Sequence, residues 1–166
     1  MHEKAEELIN TLKLQPHPEG GFFRETYRSQ ININQNALPQ TFSAERSICT
    51  AIFFLLSAGQ VSTFHRLKAD ELWHHYQGVS FYIHVINTAG VYKKILLGQD
   101  FAKGESPQVV VPAKSWFGAT LNATNGYGLV GCTVSPGFDF SDFEPGDRTD
   151  LLQNFPQYKD IILQLT

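Results

Sequence analysis

The stretch Gly59–Gly78, GQVSTFHRLKADELWHHYQG, decides the fold of this chain. Two runs rich in β-branched and aromatic residues, VSTFHRL and ELWHHYQ, flank a charged turn at LKAD and read as adjacent strands. On an extended strand alternate side chains share a face, so Glu71 and His75 point one way and His74 the other. At ~3.3 Å per residue the Cα atoms of Glu71 and His75 lie about 13 Å apart, too far to bind one ion readily. Glu71 itself has two readings. It is an inward-facing acid beside His65, or a solvated strand start paired with Arg66 or Lys68.

Working outward, SICTAIFFLL precedes this pair, and VSFYIHVIN, VYKKILL, PQVVVP, WFGATLN and YGLVGCTVS come after it. Such short strands, punctuated by Gly, Asn, Asp and Pro with no long helix between them, predict an antiparallel sandwich or barrel. Residues 3–14 carry Ala5, Leu8, Ile9 and Leu12 at helical spacing, and 149–165 read as one or two short helices interrupted at Pro156. GFFRETYR, residues 21–28, reads as a strand with Phe22, Arg24, Thr26 and Arg28 on one face and Phe23, Glu25 and Tyr27 on the other. Residues 30–43 read as an exposed loop. At 166 residues the whole chain, 1–166, fits a single domain.

Written as a pattern, the opening stretch is Gly59, five residues, His65, one residue, Leu67, three residues, Glu71, six residues and Gly78. This resembles the first motif of the cupins, with Leu67 where a second histidine would stand. PAKSWFGATLN, residues 112–122, sits where the second cupin motif would fall. There Lys114 replaces a glycine, Phe117 replaces a histidine, and Asn122 comes one position late. PHPEGGFFRETYRS, STFHRLKADELWHHYQG and VGCTVSPGFDFSDFE together resemble the small cupin-5 family, often labelled predicted sugar epimerases. The resemblance implies an all-β, double-stranded β-helix, the cupin jelly-roll barrel, with short N-terminal and C-terminal helices. It also implies an intracellular, dimeric protein that acts like a sugar epimerase.

A cupin metal centre takes three histidines and one glutamate, and only His65 and Glu71 remain at those positions. Two protein ligands hold a transition metal weakly, so no metal and no other cofactor are expected; if any metal binds, it binds at His65 and Glu71. What is left is acid–base chemistry. His65 is the candidate proton-transfer residue, with Glu71 and His75 as catalytic partners. Arg24, Glu25, Tyr27, Trp73, Lys114 and Trp116 are candidates to bind the substrate, and Arg24 or Lys114 could stabilise an oxyanion. Trp73 and Trp116 fit a hydrophobic core as readily as a sugar-stacking platform. The expected ligand is a small, sugar-like molecule or related carbonyl compound, turned over by a metal-independent epimerase or isomerase. The alternative is a non-catalytic barrel that binds or senses a small ligand.

Net charge of -3 and a pI near 6.0 give no basic footprint for nucleic acid or an anionic membrane. The acidic start MHEKAEELIN lacks the basic and apolar regions of a signal peptide, which predicts a cytoplasmic protein. Cys49 and Cys132 read as buried thiols. His17, between two prolines, reads as structural, and His84 as a core or interface histidine. Strands around Tyr82, His84, Tyr92 and Val109–Val111 are apolar on both faces and need a cover, which predicts a homodimer.

Overall fold

The computed structural model describes residues 2–166. Among them are thirteen strands and three α-helices. Helix α1 spans Glu3–Thr11. The strands are β1 (Gln15–Pro16), β2 (Phe22–Arg28), β3 (Asn32–Ile33), β4 (Arg46–Ser47), β5 (Thr50–Ser57), β6 (Val61–Leu67), β7 (Asp70–Gly78), β8 (Phe81–Ile86), β9 (Tyr92–Leu97), β10 (Gln108–Val111), β11 (Trp116–Leu121), β12 (Tyr127–Ser135) and β13 (Phe143–Pro145). Helices α2 (Arg148–Asn154) and α3 (Lys159–Gln164) end the chain.

Six strands form one sheet in the order β1-β2-β5-β12-β7-β10, and five form a second in the order β13-β6-β11-β8-β9. All of these pairings are antiparallel. Consecutive β6 and β7 belong to opposite sheets, so LKAD carries the chain across the sandwich rather than closing a hydrogen-bonded hairpin. This is the jelly-roll arrangement expected from the sequence. Period-two burial fills the space between the sheets: Phe54, Trp73, Val130 and Cys132 from the first meet Leu67, Phe81, Ile83 and Phe117 from the second.

The outer faces are covered unequally. Helix α1 lays Ala5 over Leu55, Tyr127 and Leu129 on the first sheet. Helices α2 and α3 bring Leu151 and Ile162 onto Phe64 and Ile86 of the second, with Tyr92 and Trp116 at the edge of that cluster. The cover that the apolar strands called for is therefore supplied on the second sheet by the chain itself. On the first sheet Tyr76 and Val110 remain exposed. His84 is a satisfied core histidine, its Nδ1 2.7 Å from the Tyr92 hydroxyl and its Nε2 3.1 Å from Thr120 Oγ1. No helix among the described residues is long and apolar enough to cross a membrane.

Two departures from the sequence pattern shape the space between the sheets. The pairing of β2 with β5 shifts between Glu25 and Tyr27, which makes Thr26 a supernumerary residue in a β-bulge. The bulge turns Arg28 onto the face of Phe23 and Glu25 and sends Tyr27 outward. The loop at 30–43 is also not wholly exposed, since Phe42 is buried in the main core beneath the Arg46 guanidinium.

Candidate functional site

A cavity of about 220 Å³ opens between the two sheets. β6 gives it His65 and Leu67, β7 gives Glu71, β12 gives Cys132 and Val134, and β2 gives Phe23, Glu25 and Arg28. The turn joining β1 to β2 adds His17 and Glu19 from one side. Phe138, Asp139, Phe140 and Phe143 form the rim.

The turn is built to place Glu19. His17 and Gly21 close it with a backbone bond of 3.0 Å, and Thr63 on β6 donates its N–H to the Glu19 carbonyl at 3.0 Å. Gly20 has φ +102°, and a Cβ there would sit 2.2 Å from the Val61 carbonyl oxygen. Only glycine tolerates that approach. Gly20→Ala is expected to lower stability by more than about 1 kcal/mol, seen as a lower urea midpoint, because its Cβ would be strained at that φ and would clash with the Val61 carbonyl.

Inside, His65 Nδ1 lies 2.8 Å from the Thr63 carbonyl and 3.0 Å from Glu19 Oε1. Neutral imidazole has one proton to give, and the short contact to a carbonyl acceptor fixes it on Nδ1. Glu19 Oε1 is then buried without a hydrogen-bond partner among the described residues. Burial, with a smaller push from the neighbouring His17 and against the pull of the Thr63 carbonyl, brings the His65 ring down to about 3. His17 falls to about 4 for the same reason, burial. The carboxyls move the other way. Burial raises Glu71 to about 7, opposed by the Trp73 indole and the Cys132 thiol, while burial and then the charge of Glu71 hold Glu19 well above the carboxylate range. Cys132 is also pushed up by burial and stays a thiol. Near neutral pH the site therefore holds neutral imidazoles and one carboxyl, Glu71, close to its midpoint, while burial favours the neutral form of Glu19.

Of the residues singled out from sequence, His65, Glu71 and Glu25 line this cavity. Trp73 stands behind Glu71 and donates its indole N–H to Glu71 Oε2 at 3.0 Å. The solvated reading of Glu71 does not hold, because Arg66 pairs with Glu144 and Lys68 with Asp142. Five residues lie elsewhere. Arg24 faces outward over the Phe53 ring, and Tyr27 is 55% exposed, turned out by the bulge. Lys114 lies with Arg66 and Lys68 in a separate groove beyond Leu67 and Phe143. Trp116 is on the outer face of its sheet under the Arg66 guanidinium. His75 is buried farther along β7, its Nε2 3.2 Å from the Val79 carbonyl. The sequence reading missed His17, Glu19, Arg28 and Cys132. The paired glycines after Glu19 are the signal that marks its turn as a place of close backbone approach.

Residues 6–145 match Cupin_5, described as the Cupin superfamily group DUF985. The chain belongs to this family. Among solved structures similar to this cupin, protein SO0799 from Shewanella oneidensis is 41% identical with a TM-score of 0.88, covering 98% of this chain and 96% of that one. A hypothetical protein from Leishmania major is 34% identical with a TM-score of 0.87, covering 98% of both chains. The uncharacterized protein YML079W from Saccharomyces cerevisiae is 31% identical over 148 residues, which is 82% of this chain and 72% of that protein.

Cupins commonly hold a metal at the positions that are here His65, Leu67, Glu71 and Phe117, and this lining does not fit one. Phe117 pairs with His65 across β11 and β6, with their rings 4.0 Å apart, so hydrocarbon occupies two of the four positions. His65 donates from Nδ1 to Thr63, so among the described residues Nε2 is its one free nitrogen and it can offer a metal a single ligand. No group of three or more His, Cys, Asp or Glu among the described residues has a metal-holding arrangement.

Proposed function

We propose that this cupin binds a small carbonyl compound, such as a single sugar, in the inter-sheet cavity and shifts a proton on it without a metal, as an isomerase or epimerase. The observation that carries this reading is Glu71, a buried carboxyl with its pKa at about 7 on the cavity wall. A general base works best when its pKa is near the working pH. His65 is the weaker candidate for the proton, because burial keeps its ring neutral and poorly basic. Its unprotonated Nε2 serves better as an acceptor for a ligand hydroxyl.

In this scheme the Glu71 carboxylate takes the proton from the carbon next to the carbonyl, and the C–H electron pair moves into an enolate. Glu19, whose neutral form burial favours, donates a hydrogen bond to the enolate oxygen. The hydroxyl proton of the deprotonated carbon passes to the enolate oxygen, and return of the same carbon-bound proton from Glu71 to the former carbonyl carbon completes an isomerisation on one face, with the carbonyl moved by one carbon. Inversion of a centre needs a second proton donor on the opposite face. The nearest candidate, the Cys132 thiol, is pushed up by burial and sits on the strand next to β7 in the same sheet as Glu71, so isomerisation is the better-supported branch. The volume, about 220 Å³, corresponds to roughly seven waters and suits one sugar ring rather than a nucleotide sugar.

Incubation with a panel of aldoses and ketoses in deuterated water is expected to give protein-dependent exchange at the carbon next to the carbonyl, read by proton NMR. Saturable binding with no exchange across the panel would overturn proton transfer and leave the binding barrel in its place.

A further inference from the structure

The charge of the cavity lining narrows the class of ligand further. Among the described residues, four carboxyl side chains, Glu19, Glu25, Glu71 and Asp139, face the cavity against one cation, Arg28. Burial favours the neutral form of Glu19 and Glu71, so the negative charge rests mainly on Glu25 and Asp139. Arg28 has no charge to spare for a ligand. Its Nε and Nη2 donate to the two Glu25 oxygens at 3.0 and 2.7 Å, and its Nη1 donates to the Phe138 carbonyl at 3.1 Å. Glu25 and Arg28 thus largely cancel, which leaves Asp139 as the anion at the rim. It is held ionised by Ser141, whose hydroxyl and N–H donate to its Oδ1 at 2.7 and 2.9 Å, and by the more distant Arg46 and Arg28, with Oδ2 left for a ligand. Deeper in, Glu19 is only 7% exposed, and its Oε1 lies beside His65 without a hydrogen-bond partner among the described residues.

The rim adds three aromatic rings. Phe138 and Phe140 meet edge to face at 5.1 Å, and Phe140 and Phe143 at 6.5 Å. Phe140 stands 66% exposed beside the opening, a position with no role in the core. Ring faces attract cations and repel anions, and so do the carboxylates next to them. The acids are spread along a cavity rather than gathered on a point, and none of them forms part of a metal-holding group. That spacing suits an extended organic cation.

We infer that the cavity selects a ligand bearing an ammonium group, seated at the rim between Asp139 and the rings of Phe138, Phe140 and Phe143, with the reacting part reaching inward to Glu71. In chemical class this is an amino-substituted carbonyl compound, an amino sugar being one example. Anionic molecules, sugar phosphates and sugar acids included, are excluded by the same lining. This ligand class rests on the proposed site but not on the chemistry proposed for it.

Three probes of nearly one shape test it without any reaction: choline, its uncharged carbon analogue 3,3-dimethylbutan-1-ol, and the anion 3,3-dimethylbutanoate. None carries the carbon acid of a sugar, so the result is independent of the exchange assay. By ligand-observed NMR titration at neutral pH, choline is expected to bind about tenfold more tightly than the alcohol, with the anion weaker still. Asp139→Asn is expected to weaken choline several-fold while leaving the alcohol unchanged, and Phe140→Ala to weaken choline by a larger factor than the alcohol. The inference is overturned if the alcohol matches choline, if the anion binds as well as either, or if none of the three saturates by roughly 50 mM, where even a weak specific site would show. Selectivity without exchange in the sugar panel would retire the proton-transfer reading alone. Exchange without selectivity would retire the ammonium site alone.

Discussion

Arg46→Ala is expected to destabilise the protein by about 3–5 kcal/mol, measured as a loss of unfolding free energy in urea. Arg46 is 4% exposed. Its Nε and Nη2 grip the two oxygens of buried Asp142 at 2.5 and 2.7 Å. The rest of the fork is used as well, on the Ala44 and Glu45 carbonyls at 3.1 and 2.8 Å and on Ser141 Oγ at 2.9 Å. Alanine would leave the Asp142 charge in the interior with only Lys68 nearby, 3.1 Å away, and would uncover Phe42. The cost comes from the stranded carboxylate more than from the lost bonds, so a double replacement, Arg46→Met with Asp142→Leu, should recover most of it. A loss below about 1 kcal/mol for Arg46→Ala would mean that the segment from Asp139 to Phe143 is held by something else.

Glu71→Gln is expected to lower isomerising exchange by about 10²- to 10⁴-fold while making the protein more stable in alkali. The folded carboxyl has its pKa at about 7 against an ordinary 4.5, raised by burial. The native state keeps a proton that the unfolded chain has released, so stability is fully present below pH 4.5 and falls as pH rises through 7. The full penalty above pH 7 is on the order of 3 kcal/mol. Glutamine does not ionise and keeps an acceptor for the Trp73 indole, so the variant should match the wild type near pH 4 and exceed it above pH 7. The buried histidines set the other flank. His65, at about 3, and His17 and His84, each at about 4, are depressed by burial and refuse protons that the unfolded chain accepts below 6.5. Stability is therefore lost as pH falls from 6.5 toward 4, and Glu71→Gln should leave that limb unchanged. Parallel thermal melts of both proteins across pH 4–9 provide the check. A pH-independent offset between them would remove the case for a perturbed Glu71.

Most of the barrel was legible in the chain because strand period and turn chemistry are local signals. PQVVVP reads as a strand, and alternation puts Val109 and Val111 inside while Val110, expected to need a cover, stands exposed. The candidate site was legible in part. His65 and Glu71 were found through their spacing, and their burial follows from strand alternation on β6 and β7. Tyr27 shares the face of Glu25 only if alternation along β2 is unbroken, and a bulge is a tertiary compromise with β5 that no local pattern announces. Arg24 precedes the bulge and lies on the outer face. Glu19 and His17 come from a turn more than forty residues before Glu71, and only the closed fold brings them together. The shift of the neutral-pH titration from His65 to Glu71 was not readable either, since it depends on how completely each group is enclosed.

The bulge at Thr26 has a meaning for how such barrels diversify. Were β2 perfectly paired, the same seven side chains would present a phenol at the entrance and hold the guanidinium in bulk water. One extra residue in the count reverses them, with no change in the neighbouring strand. What guards the doorway is thus set by the arithmetic of pairing as much as by amino-acid identity. Gain or loss of a single codon in this strand is a short evolutionary path to a barrel that admits a different guest.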